Sequence, residues 1–312
     1  MAEHFGNRLI TKIRDKKSFL CLGLDPHIPL IPDIFNINNK KLSLFENNYQ
    51  KVENFCFSLF ECSLDLVPAI KPQIALFEQL GPKGMALLAS ICKKSKSKDV
   101  LLIMDGKRGD IGSTSQAYAN AYLGDDAPFP SDALTVNPWL GLDSLDPFFI
   151  KAEETGCGLF ILTHTSNNGS KDLQEQLLEN GLKCYEHLAK LLKPTIDKNI
   201  GSLGLSSIGL VSGATFKNDA IKLRNMLPNA PLLIPGYGAQ GASANDATAA
   251  LVPDLTIPGL KNFGLINASR SVAFSPKSYQ AKNIEEWQSI IRSEIKKTNK
   301  ELISANLKIE NV

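Results

Sequence analysis

Eight short apolar runs recur along this 312-residue chain, separated by longer segments with helical periodicity. The runs are residues 19–24, 66–70, 100–104, 133–136, 158–162, 207–211, 231–234 and 264–266. Residues 48–64 place Val52, Phe55, Leu59, Phe60 and Leu64 at helical spacing, and residues 83–94 do so with Met85, Leu87, Leu88 and Ile91. Residues 173–192, 220–227 and 284–303 complete the predicted helices, the last one closing the fold. Residues 1–14 start an amphipathic helix with Phe5, Leu9, Ile10 and Ile13 on one stripe. Alternation of strand and helix implies a parallel sheet. About eight repeats of it predict an α/β fold that is a single (β/α)8 TIM barrel rather than an open doubly wound sheet. The first run leads into Gly23-Leu24-Asp25-Pro26 and not into a GxGxxG turn, which argues against dinucleotide binding. The polar stretches 36–41 and 95–98 are loop-sized, so residues 1–312 are expected to form one domain, with a tail that frays from about Lys296 to Val312.

Charge and composition remove several classes of function. A formal charge of +2, with lysines scattered and no basic stripe, gives no footprint for nucleic acid. No apolar stretch approaches the ~18 residues of a membrane span, and residues 1–14 lack a signal-peptide core. The cysteines Cys21, Cys56, Cys62, Cys92, Cys157 and Cys184 show neither CxxC nor metal-finger spacing. They read as buried free thiols in a reducing cytoplasm.

Chemistry is concentrated where the runs end. Residues two apart on a strand share a face, so Asp105 and Lys107 project together from the third run, with Asp110 just beyond. The C-terminal strand ends are where α/β barrels keep their active sites. The first run ends in Asp25, the second in Lys71 and the fourth in Asn137-Pro138-Trp139. The fifth ends in Thr163-His164-Thr165-Ser166-Asn167 and the sixth in Ser212-Gly213-Ala214-Thr215. The seventh ends in Pro235-Gly236-Tyr237-Gly238-Ala239-Gln240-Gly241, and the eighth in Asn267-Ala268-Ser269-Arg270. Glycines that open backbone N–H groups, paired with an arginine at strand ends seven and eight, predict a phosphate site. Each charge also has a plainer reading on its own. Asp105 and Lys107 could be a surface ion pair, Lys71 a solvated lysine and Asp25 a turn cap. His27 and His164 lack a spaced partner and read as bystanders.

In their order, these residues resemble the orotidine 5′-phosphate decarboxylase family over about Phe19 to Phe274. The matching motifs are Gly23-Leu24-Asp25-Pro26, Lys71-Pro72-Gln73, Asp105-Gly106-Lys107-Arg108-Gly109-Asp110-Ile111, Thr165-Ser166-Asn167, the 235–241 glycine turn and Asn267-Ala268-Ser269-Arg270. The third is the most specific. The wording Lys71-Pro72-Gln73-Ile74-Ala75-Leu76-Phe77-Glu78 is similar to the longer bacterial-type subgroup. Asn168 departs from that subgroup's proline, a change that loosens the loop over the base and removes no charge. The resemblance implies a homodimer, no cofactor and no metal. It also implies a Lys-Asp-Lys-Asp array of Lys71, Asp105, Lys107 and Asp110, with Asp110 and Thr114 reaching into the partner's site. Asp25 and Lys71 would hold ribose hydroxyls and Ser166 the pyrimidine edge. Gln240 and Arg270, beside Gly238, would hold the phosphate.

The implied reaction accounts for such an array. Loss of CO2 from orotidylate leaves an electron pair in an sp² orbital at C6 with no internal sink, so the protein must supply electrostatic stabilisation. Lys107 can stabilise that carbanion and then protonate it. Asp105 beside the substrate carboxylate adds repulsion that ends when neutral CO2 leaves. Asp110 and Lys71 fix the positions and charges of the other two. One rival is a Mg²⁺-dependent phosphosugar lyase or decarboxylase on the same barrel. Such enzymes carry a metal-binding acid near the end of strand two, where this chain has Lys71. Another rival is a silent UMP-binding protein, disfavoured because an unused buried array costs desolvation. A third is one half of a bifunctional UMP synthase; the chain has no room for a phosphoribosyltransferase domain.

Overall fold

A computed structural model describes residues 3–37, 39–98 and 100–307. Eight strands form a closed, all-parallel barrel: β1 (Leu20–Leu24), β2 (Ala69–Pro72), β3 (Leu101–Arg108), β4 (Ala133–Val136), β5 (Gly158–His164), β6 (Ile208–Ser212), β7 (Leu232–Ile234) and β8 (Gly264–Ala268). Neighbours in sequence are neighbours in the barrel, and β1 closes the ring by pairing with both β2 and β8. Each strand is buried along nearly its whole length, as expected of a parallel sheet covered on both faces. This burial explains why the runs were continuous rather than alternating.

The longer helices are α1 (Phe5–Lys16), α2 (Leu44–Ser63), α3 (Gly81–Lys96), α4 (Gly112–Tyr122), α5 (Asp146–Thr155), α6 (Cys184–Lys198), α7 (Lys217–Met226) and α8 (Ile284–Leu307). Ser43 caps α2 by accepting the Glu46 N–H at 3.1 Å. Helix α1 lies across the N-terminal ends of the strands. Its stripe residues Phe5, Leu9, Ile10 and Ile13 are buried, Phe5 meets Phe160 edge-on, and Arg8 pairs with Asp132 just before β4. A Cβ on Gly158 would run into the Phe5 ring, so the first residue of β5 has to be small. The tail from Lys296 is helical as far as Leu307, and residues 308–312 lie outside the described residues.

Residues 173–192 do not form one helix, contrary to expectation. A one-turn helix, Ser170–Leu173, is followed by a loop in which Leu177 bridges Lys183, and α6 begins only at Cys184. Asn180 and Gly181, the latter at φ +76°, turn the chain inside the apolar periodicity. Helices α4 and α5 were not predicted. Only Ser115, Ala119 and Tyr122 are buried on α4, and only Phe148 and Ala152 on α5, too few large apolar residues to show a period.

Candidate active site

The register of the barrel brings Asp25, Lys71 and Asn267 side by side at its C-terminal mouth. Gly23 pairs with Lys71 across β1–β2, and Cys21 pairs with Asn267 across β1–β8. Strand β3 is eight residues long and carries Asp105 and Lys107 within it. Lys71 Nζ donates to Asp105 Oδ2 at 2.6 Å, and Lys107 Nζ donates to Asp105 Oδ1 at 2.5 Å. Gln73 and Thr135 add neutral donors to the two oxygens, at 3.2 and 3.1 Å. Lys71 and Asp105 are 4% and 7% exposed, so this is a buried pair rather than a surface one. Burial alone would raise the Asp105 pKa; the two ammonium groups outweigh it and hold the carboxyl below the usual range. Burial likewise opposes charge on Lys71, and the fields of Asp105 and Asp25 overcome it, raising its pKa. Both groups are charged at neutral pH.

A cleft of about 1180 Å³ opens over this cluster. Asp25, Lys71, Asp105, Lys107, Ser166 and Gln240 all line it. Ser166 and Gln240 are brought together by Gly236, at φ +107°: a Cβ there would lie 3.1 Å from Gln240 Oε1 and 3.4 Å from Ser166 Cβ. Gly238, at φ +72°, packs its turn against Ser271, beside Arg270. The buried oxygens Asp25 Oδ1 and Asn267 Oδ1 have no partner among the described residues. Asp110, Thr114, Gly238 and Arg270 are not among the residues lining the cleft. Arg270 and Thr114 are exposed, and Asp110 Oδ1 accepts the N–H of Ile111 at 2.8 Å. Three members of the four-residue array therefore meet in one cleft, and Asp110 stands apart from them within the chain.

The sequence matches the orotidine 5′-phosphate decarboxylase / HUMPS family over residues 18–283. The chain belongs to this family. It is similar to the orotidine 5′-phosphate decarboxylase of Rhodopirellula baltica, at 36% identity over 307 residues, covering 96% of this chain and 98% of the relative. A Streptomyces avermitilis crystal structure, provisionally assigned as an orotidine 5′-phosphate decarboxylase, superposes with a TM-score of 0.78 at 32% identity, covering 98% of each chain. The OMP decarboxylase of Leishmania donovani superposes at 0.68 with 26% identity, covering 97% of this chain and 99% of that one. In this family member the barrel and its closure are those expected from the strand–helix alternation.

Several cleft residues escaped the sequence reading. Gln73 belongs to the Lys71-Pro72-Gln73 motif, and an uncharged amide there gives no sign of its bond to Asp105. Thr135 looked like any β-branched strand residue in Ala-Leu-Thr-Val. His164 does not line the cleft. It is fully buried, stacked between Tyr185 and Phe216, with Glu175 and Asp219 oxygens each 3.5 Å from a ring nitrogen. Burial lowers its pKa against the pull of those two carboxylates. All six cysteines are free, and five are buried. Burial pushes Cys21, Cys62 and Cys92 up to about 12, which leaves them unreactive as thiolates. Among the described residues, no three His, Cys, Asp or Glu side chains gather as a metal site, and no helix is long and apolar enough to cross a membrane.

Proposed function

We propose that this chain decarboxylates orotidine 5′-phosphate to UMP and CO2, the last step of pyrimidine nucleotide synthesis, with no metal or cofactor. The observation that carries this reading is the Lys71–Asp105–Lys107 cluster at the mouth of the barrel, in which Lys71 and Asp105 are buried and the Lys107 ammonium faces the open cleft. The bond from C6 to the carboxylate breaks, and its electron pair stays on C6 beside the Lys107 ammonium. Lys107 then gives C6 the proton that replaces CO2 and recovers one from solvent. Asp105, held ionised by its two cations, faces the substrate carboxylate. Lys71 and Asp25 take the ribose hydroxyls, Ser166 takes the pyrimidine edge, and Gln240 and Arg270 grip the phosphate beside Gly238. The family also contains HUMPS members, and the alternative is a Mg²⁺-dependent phosphosugar lyase. Against it, both Asp105 oxygens already serve ammonium groups, one of them buried. A divalent cation placed there would meet two positive charges at close range.

The working unit in this reading is a homodimer, with Asp110 and Thr114 completing the partner's cleft. In support, Thr114 is exposed and Asp110 is half-buried just before α4, where a second chain can reach them. Ile111, next to Asp110 in the chain, is 60% exposed, and Trp139 at the rim of the cleft is 70% exposed. A reducing cytoplasmic setting suits six unpaired cysteines. The test is loss of orotidylate absorbance with purified protein, with and without EDTA. Turnover that persists in EDTA is expected. Turnover abolished by EDTA and restored by Mg²⁺, or turnover of a phosphosugar in place of orotidylate, would favour the lyase.

A further inference from the structure

Asp105 accepts four hydrogen bonds, and only two of them come from lysines. Oδ2 takes Lys71 Nζ at 2.6 Å and Gln73 Nε2 at 3.2 Å; Oδ1 takes Lys107 Nζ at 2.5 Å and Thr135 Oγ1 at 3.1 Å. A carboxylate has about four lone-pair sites, so the acceptor capacity of Asp105 is filled. The Thr135 hydroxyl also accepts the backbone N–H of Lys107 at 2.9 Å. The reason lies in the backbone. Lys107 sits at φ +47°, a left-handed conformation that non-glycine residues rarely adopt, and the β3–β4 register shifts between Met104 and Arg108. The N–H of Lys107 is directed at a side chain and not into the ladder. One buried hydroxyl, on a residue 1% exposed, thus bonds both the carboxylate and the main chain of its neighbouring lysine.

We propose that Thr135 is a positioning residue for decarboxylation: through Asp105 Oδ1 and the Lys107 N–H it fixes the relation between the carboxylate and the ammonium that face the reacting carbon. The proposal rests on the decarboxylase reading of the cleft. An ammonium has three N–H donors. With Oδ1 already held by Thr135, Lys107 spends one N–H on Asp105 and keeps the others for the substrate. Without that hydroxyl, Oδ1 keeps only the Lys107 ammonium, and the carboxylate loses its one fixed neutral restraint on the side that faces the cleft. Lys107 would then follow the carboxylate instead of C6, and its own backbone N–H would be left unpaired at a strained residue. Valine has the shape of threonine but neither bond, whereas serine keeps both.

The test compares Thr135→Val and Thr135→Ser with the wild type in steady-state turnover of orotidine 5′-phosphate, UMP affinity and thermal unfolding. Thr135→Val is expected to lower kcat by about 10–100-fold, from the cost of one buried unsatisfied partner. Its KM and UMP affinity stay within about threefold, because the substrate-binding groups are untouched. Thr135→Ser restores kcat to within about threefold of the wild type. Losing a donor to Asp105 also moves the acid limb of the kcat profile to higher pH in the valine variant. Wild-type kcat in Thr135→Val overturns the proposal, as does equal impairment of the valine and serine variants with a matching loss of thermal stability. If Thr135→Val does not fold, Thr135→Ala carries the same comparison, and failure of both to fold assigns Thr135 a purely structural role. A wild-type chain inactive on orotidylate removes the decarboxylase reading itself, a result distinct from active wild type with an unaffected valine variant.

Discussion

Asp105 is the residue on which the others depend, because it is the anion between two cations in a place with little water. Replacing it with asparagine leaves the Lys71 ammonium buried with only the weaker field of Asp25. We expect Asp105→Asn to abolish turnover and to destabilise the fold by about 3 kcal/mol, the usual scale for removing one partner of a buried pair. The pH dependence follows from the direction of the shifts. The folded pKa of Asp105 is depressed, so its contribution is complete above the ordinary aspartate value of about 3.9 and is lost as pH falls from there. The folded pKa of Lys71 is raised, so its contribution is complete below the ordinary lysine value of about 10.4 and is lost at higher pH. The difference in unfolding free energy between wild type and Asp105→Asn, read from urea melts, should therefore hold steady between about pH 5 and 9 and shrink towards pH 3. A constant difference down to pH 3 would show that the buried pair is not what stabilises the site. At this scale the charged residues were legible because charge at a strand end is conspicuous. Thr135 was not, since a hydroxyl on a β-branched strand residue carries no mark until the bulge opposite it is known.

At the scale of elements, the two ends of the barrel divide the work. Helix α1 seals the N-terminal end with Phe5, Leu9, Ile10 and Ile13, far from the chemistry. Phe5→Ala should cost about 3–5 kcal/mol in urea unfolding while leaving KM and kcat of the folded enzyme unchanged. A selective loss of kcat would place α1 in the catalytic machinery instead. At the other end the β7 glycine turn is shaped by conformation. Gly236→Ala meets a positive φ and close contact with Gln240 and Ser166. It should weaken UMP binding and destabilise by about 1–3 kcal/mol; unchanged UMP affinity would separate this turn from the ligand. The stripe of α1 and the presence of α2 and α8 were readable because apolar residues recur at helical spacing, although α2 starts four residues earlier and α8 ends four residues later than the periodicity predicts. Helices α4 and α5 were not, because each buries few large side chains. The 173–192 segment misled because its leucines serve two separate elements and the cleft between them.

The barrel is the simplest feature of the whole molecule, and the alternation of runs and helices predicted it, since eight parallel strands close on themselves only with helices outside. For the fourth charge of the array, the family resemblance alone implies a use, in the partner's site. Asp110 is not among the residues lining the cleft of its own chain, and the proposed homodimer would use it to complete the partner's site. Mixing Lys107→Ala and Asp110→Ala subunits, each inactive alone, should restore up to one good site per mixed dimer. No recovery with subunit exchange demonstrated would assign Asp110 to its own chain. The central claim, that a lysine–aspartate–lysine cluster at the barrel mouth performs the decarboxylation with Lys107 as proton donor, is tested most directly by orotidylate turnover in Lys107→Ala beside the wild type, both in EDTA. We predict steady turnover by the wild type and none detectable in the variant, with the same thermal unfolding midpoint within a few degrees. Near-normal turnover in Lys107→Ala would contradict the account.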